Sequence, residues 1–118
     1  MKTSHPTDTK DLEIKNHKCF FVGGVKKNID NKEIAKGTMY VEQFTPKKHK
    51  ENLKIIFIHG GGQTGAGFLG TPDGRRGWVH DFLLAGFEVF VVDQPGRGRS
   101  GYSSKLFGDY IDRELDID

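Results

Sequence analysis

The chain has 118 residues, of which 35% are hydrophobic and 16 are glycine, and it carries a formal net charge of +2 at pH 7. That length suits one small domain, and the near-neutral balance gives no electrostatic ground for a nucleic-acid or membrane partner. The single cysteine, Cys19, excludes an internal disulfide, and no segment is long and apolar enough to span a bilayer.

Residues 1–16 are polar and without period, which predicts a disordered tail followed by one domain over 17–118. The start, M-K-T-S-H-P-T-D-T-K-D, lacks the apolar run of a signal peptide, so a cytoplasmic location is expected. Strands are predicted near Cys19–Lys26 and Thr38–Phe44, joined as an antiparallel hairpin by a Lys/Asn/Asp-rich connection. T-P-K-K-H-K-E-N then reads as a surface loop.

Ile55 to Ile58 are all β-branched or aromatic, the pattern of a central strand covered on both faces. This strand runs into His59-Gly60-Gly61-Gly62. Consecutive glycines let backbone N–H groups converge on one point with no side chain between them and a ligand. Such donors hold the oxygen that becomes negative in acyl transfer, although a Gly-rich turn also serves as a plain connector in unrelated folds. Gly65, Gly67, Gly70, Pro72 and Gly74 predict a long irregular loop, the kind of segment that carries binding groups. A helix follows, with Trp78, Val79, Phe82 and Leu83 on its core face, His80 pointing to solvent, and Gly86 ending it as a C′ residue. Phe87 to Val92 is a second buried strand, parallel to the first by the right-handed crossover rule.

The strand and H-G-G-G resemble the oxyanion-hole segment of α/β-hydrolases of the lipase and esterase type. T-P-D-G-R at 71–75, Gly77-Trp78 and F-E-V-F-V-V-D-Q-P-G-R-G-R-S-G extend the resemblance, which covers about Phe20 to Tyr102 and is similar to a group of bacterial and fungal serine esterases. It implies an α/β fold made of the N-terminal part of that sheet: two antiparallel strands, then strand, loop, helix and strand. It also implies that Gly60, Gly61 and Gly62 form the oxyanion-hole loop, that His59 shapes this loop, and that Asp93 anchors the next one. The substrate would be a small-molecule ester.

A serine hydrolase of this fold needs a nucleophile elbow, an acid and a histidine in that order after the fifth strand, and the chain contains none of them in that arrangement. Gly98-Arg99-Ser100-Gly101 nearly spells G-x-S-x-G, but Tyr102 stands where the second glycine belongs and the strand ends near Asp93, so Ser100 reads as a loop residue making local hydrogen bonds. These 118 residues are therefore expected to be an incomplete N-terminal fragment, inactive alone. In the strand order 1-2-4-3-5 of that fold, the Ile55–Ile58 strand would lack its fifth-strand neighbour and form an open edge able to self-associate.

Two other readings stand beside this one. The first is a non-catalytic binding or regulatory fragment. The second is a dinucleotide-binding βαβ unit, because Gly60-x-Gly62-x-x-Gly65 follows a strand, Asp93 ends the next strand, and Arg97 and Arg99 follow. Against it, a fingerprint helix begins within the glycines, whereas Gly67, Gly70, Pro72 and Gly74 postpone any helix here. No cofactor is expected, and no metal either: there is no cysteine pair or H-E-x-x-H, and His5, His17, His49, His59 and His80 are not at ligand spacing.

Overall fold

The computed structural model describes residues 11–102. Within them, a four-stranded sheet is built from β1 (Ile14–Val22), β4 (Met39–Pro46), β6 (Glu88–Asp93) and β5 (Lys54–Phe57), in that spatial order. β1 and β4 pair antiparallel, as do β4 and β6, while β5 and β6 are parallel. This matches the first four places of the strand order implied by the resemblance. The first three residues of β1, Ile14 to Asn16, fall inside the segment expected to be tail, and Ile14 pairs with Pro46. Residues 1–10 of the expected tail and residues 103–118 lie outside the described residues.

The connection between the first two sheet strands is itself structured. Val25–Ile29 (β2) and Lys32–Lys36 (β3) form a separate two-stranded sheet. Asp30 and Asn31 turn this hairpin with φ of 51° and 64°, the positive pair of a type I′ turn, for which Asp and Asn are suited.

Between β5 and β6 the chain makes a one-turn helix α1 (Ala66–Leu69) and then α2 (Trp78–Leu84). α1 interrupts the segment expected to be irregular throughout. Gly86 follows the C-cap residue Ala85 with φ 95° and donates its N–H to Leu83 O, as a C′ glycine does. The core lies on the α2 side of the sheet, where Val79 and Leu83 meet Phe44, Phe57, Val89 and Val91. Phe57 packs its ring against Phe68 and Phe82, with centroids 4.8 and 5.3 Å away.

Three burial expectations need correction. Trp78 is 64% exposed rather than core, because it sits at the first position of α2; its ring lies 6.3 Å from that of Phe68. His80 is buried rather than solvent-facing, and the Arg76 guanidinium donates to its Nε2 at 2.8 Å. The strand expected to be covered on both faces alternates instead: Phe57 is buried, while Ile56 and Ile58 are 59% and 62% exposed. β5 is an edge strand among the described residues, and α2 covers only one side of it.

Candidate active-site loops

The two parallel strands deliver two loops to the same end of the sheet, the carboxyl end where open α/β sheets place their ligands. The loop after β5 carries Gly60, Gly61 and Gly62, all exposed. Gln63 N–H donates to Gly60 O at 3.2 Å and turns the chain, and Gly62 has φ 72°. A Cβ placed on Gly61 would meet nothing within 4 Å. Among the described residues, no hydrogen bond uses the N–H groups of Gly61 or Gly62.

His59 ties this loop to the neighbouring one. It is 3% exposed, its Nδ1 lies 2.8 Å from Gly60 O, and its Nε2 accepts the Gln94 N–H at 2.9 Å. With Nε2 accepting, the proton sits on Nδ1 and is donated to Gly60 O, so the imidazole is neutral and held on both sides. Gln94 Nε2 returns a hydrogen bond to His59 O at 2.7 Å. Gln94 was not singled out from the sequence, since only the parallel pairing of β5 and β6 brings it across to His59.

Asp93 is the centre of the second loop. Its side chain is fully buried, Oδ1 accepts the Gly65 N–H at 2.7 Å, and Oδ2 accepts the Arg99 N–H at 2.8 Å and Arg99 Nε at 2.9 Å. Arg99 also donates from Nη1 to Glu42 Oε1 at 2.9 Å, and its guanidinium lies 4.2 Å over the Tyr40 ring. Burial alone pushes the Asp93 carboxyl up; the Arg99 guanidinium and the N–H donors of Gly65 and Arg99 outweigh it and bring it to about 2. Close packing complements the charge. A Cβ on Gly65 would lie 2.6 Å from Val91 Cγ1 and 2.8 Å from Val92 O, so only glycine lets its amide reach Asp93.

Ser100 makes the local contacts expected of a loop residue. Its Oγ accepts the Tyr40 N–H at 2.8 Å and donates to Asp93 O. Asp93 and Arg99 are committed to each other, and a 0% exposed carboxylate offers nothing to a ribose hydroxyl. α1 begins only at Ala66 and is four residues long, unlike a fingerprint helix. The expectation of no metal spacing along the chain stands beside a cross-strand group that spacing does not reveal: donor atoms of His17, Cys19 and Glu42 lie within 4.8 Å of one another.

A sheet of this order with a glycine loop after one parallel strand and a carboxylate-locked loop after its neighbour defines the N-terminal portion of an α/β-hydrolase. In sequence and in fold the chain is similar to members of that superfamily, a lipase and an esterase among them. It is 41% identical over 96 residues to a probable secreted lipase, phiG, of a fungus (Fungal sp. strain ATCC 74256), a match covering 81% of this chain and 24% of that protein. The structure of a novel bacterial esterase, solved at atomic resolution, superposes with a TM-score of 0.73 at 29% identity, covering 93% of this chain and 38% of that one. The chain thus spans about a quarter of the length of the curated relative it matches. No protein-family profile matches it.

The lipase also corrects the expected location. Its name describes a secreted protein, which points to an extracellular rather than a cytoplasmic site. The cytoplasmic expectation rested on a missing apolar run at the N-terminus, and such an absence says nothing of export by another route.

Proposed function

We propose that these residues are the oxyanion-hole half of a serine-dependent carboxylic ester hydrolase. The observation that carries this reading is the loop after β5, where the N–H groups of Gly61 and Gly62 engage no acceptor among the described residues and no side chain stands over Gly61. In the reaction these N–H groups donate to the carbonyl oxygen of the ester as it becomes an oxyanion. Losing one such donor costs about 2.7–4 kcal/mol of transition-state stabilisation. His59 and Asp93 hold the two loops in position and move no protons. The serine nucleophile, its histidine and the acid are supplied by sequence outside the 118 residues, in keeping with relatives several times as long.

The exposed Ile56 of edge strand β5 and Ile58 just beyond it support the same reading, since they stand on the side away from α2, where helices of a complete fold would cover them, and a fifth strand would pair with the open edge. In the isolated chain that edge pairs with another copy, and the chain alone turns over no ester. The test is Gly61→Val in the longer protein carrying these residues, assayed on a short-chain nitrophenyl ester. Turnover is expected to vanish while the far-UV circular dichroism stays unchanged. Undiminished turnover would remove the loop from the mechanism.

A further inference from the structure

β1 and β4 pair in a register that places His17 opposite Phe44, Cys19 opposite Glu42 and Phe21 opposite Tyr40. Alternation along a strand puts these six side chains on one face of the sheet. The imidazole of His17 is stacked on Phe44, with centroids 4.4 Å apart and planes at 10°, so its Nε2 is aimed along the strands at Glu42 Oε2, 2.7 Å away. Glu42 is held from behind, because Arg99 Nη1 donates to its other oxygen, Oε1, at 2.9 Å. Beyond Cys19, the Phe21 ring meets Tyr40 edge-on at 5.4 Å. The thiol, the imidazole and the inner carboxylate are thus gathered between two aromatic pairs.

We propose that His17 Nε2, Cys19 Sγ and Glu42 Oε2 bind a divalent cation of the zinc type. The donor set decides the class. Thiolate and imidazole together select a borderline-soft d-block ion over calcium or magnesium, which take oxygen donors. Three protein donors leave a fourth tetrahedral position for water.

The geometry requires little movement. The three donor atoms lie within 4.8 Å of one another, whereas donors about 2.0–2.3 Å from a tetrahedral zinc sit some 3.3–3.8 Å apart. The His17 and Glu42 donors are already 2.7 Å apart, so the gap lies toward Cys19, whose exposed side chain closes it by rotation, while Glu42 stays anchored by Arg99. An outer partner that orients a ligating carboxylate is a recurring part of metal sites. On binding, the Cys19 thiol loses its proton to solvent and the ion replaces the contact between His17 and Glu42. Affinity therefore falls as pH drops and protons compete for the thiolate and the imidazole.

None of these residues belongs to the proposed oxyanion loop, so the two readings fail or stand separately. The experiment is a calorimetric titration of the chelator-stripped full chain with Zn²⁺, repeated with Cys19→Ser and His17→Ala. The expected result is one ion per chain, with each substitution weakening binding at least about tenfold. Loaded with Co²⁺, the chain should show a thiolate-to-cobalt charge-transfer absorption that Cys19→Ser abolishes. Both changes lie at exposed positions, and circular dichroism of each variant guards against unfolding as the cause. Two outcomes would overturn the proposal: no binding by the unaltered chain, or binding that neither substitution weakens. In either case the cluster is only an ion pair beside a thiol.

Discussion

The loops that leave β5 and β6 start from adjacent parallel strands, yet they are built in opposite ways. After β6, Asp93, Arg99 and Ser100 pair with one another and with Gly65, Glu42 and Tyr40, so the loop is cross-tied by a buried charge. After β5, His59 is fixed at both ring nitrogens, but the three glycines beyond it stand exposed, and the amides of Gly61 and Gly62 engage no acceptor among the described residues. A rigid neighbour is what allows donors to be left unused. Backbone N–H groups stabilise a transient anion well only when they are already oriented; on the proposed reading, the Asp93 network together with the contacts between Gln94 and His59 would supply that orientation without occupying the donors.

The strongest way to break the contrast is to remove its centre. Asp93→Ala orphans the Gly65 amide and strips Arg99 of its main partner. Deleting one member of a buried, hydrogen-bonded charge pair costs about 3–5 kcal/mol, and because Arg99 keeps 38% of its side chain exposed, the lower end is expected, read as a fall in the urea midpoint. The same carboxylate predicts a pH dependence. Its folded pKa, about 2, lies below the ordinary value of 3.8, so its contribution is complete above that ordinary value and is lost as the pH falls toward the folded one. The difference corresponds to about 2 kcal/mol. In Asp93→Ala this part of the acid-side loss of stability should be missing.

A pair of glycine substitutions sharpens the comparison between the loops. Gly65→Ala drives a methyl group into Val91 and the backbone of Val92, and overpacking of this kind costs about 1–3 kcal/mol. Gly61→Ala, in open space, should leave the midpoint within about 0.5 kcal/mol. Equal effects at the two positions would mean that the β5 loop is packed as tightly as its neighbour.

What the sequence revealed of this arrangement follows from locality. The apolar run into H-G-G-G, the glycine ending α2 and the aspartate ending β6 are signals within a few residues, and each lies where its pattern indicated. Partnerships set by strand register were not legible. Glu42 becomes a ligand of Arg99 only when β4 lies against β6, and His17 joins Cys19 and Glu42 only through the pairing of β1 with β4. Burial failed in the same way. Helical period places Trp78 on the face of Val79 and Leu83, but α2 starts at Trp78 and no described element covers that end. The hairpin turn at Asp30-Asn31 was legible in principle, as a pair suited to positive φ between two short runs, but the lysines around it gave no apolar alternation to frame it.

The smallest effect concerns Ser100, and it separates two roles that a serine beside the proposed oxyanion loop can have. Its hydroxyl bridges β4 to β6, accepting from Tyr40 N–H and donating to Asp93 O. Ser100→Ala leaves those two backbone groups without that partner, and the loss of such a hydrogen-bonded link costs about 1 kcal/mol. Turnover in the longer protein should keep its full rate, because a hydroxyl spent on two backbone groups has neither a base beside it nor a free path to a carbonyl carbon. A small fall in the urea midpoint with undiminished ester hydrolysis is the expected result. Loss of hydrolysis with the midpoint unchanged would make Ser100 the nucleophile and the β6 loop the reactive one, reversing the division of labour between the two loops.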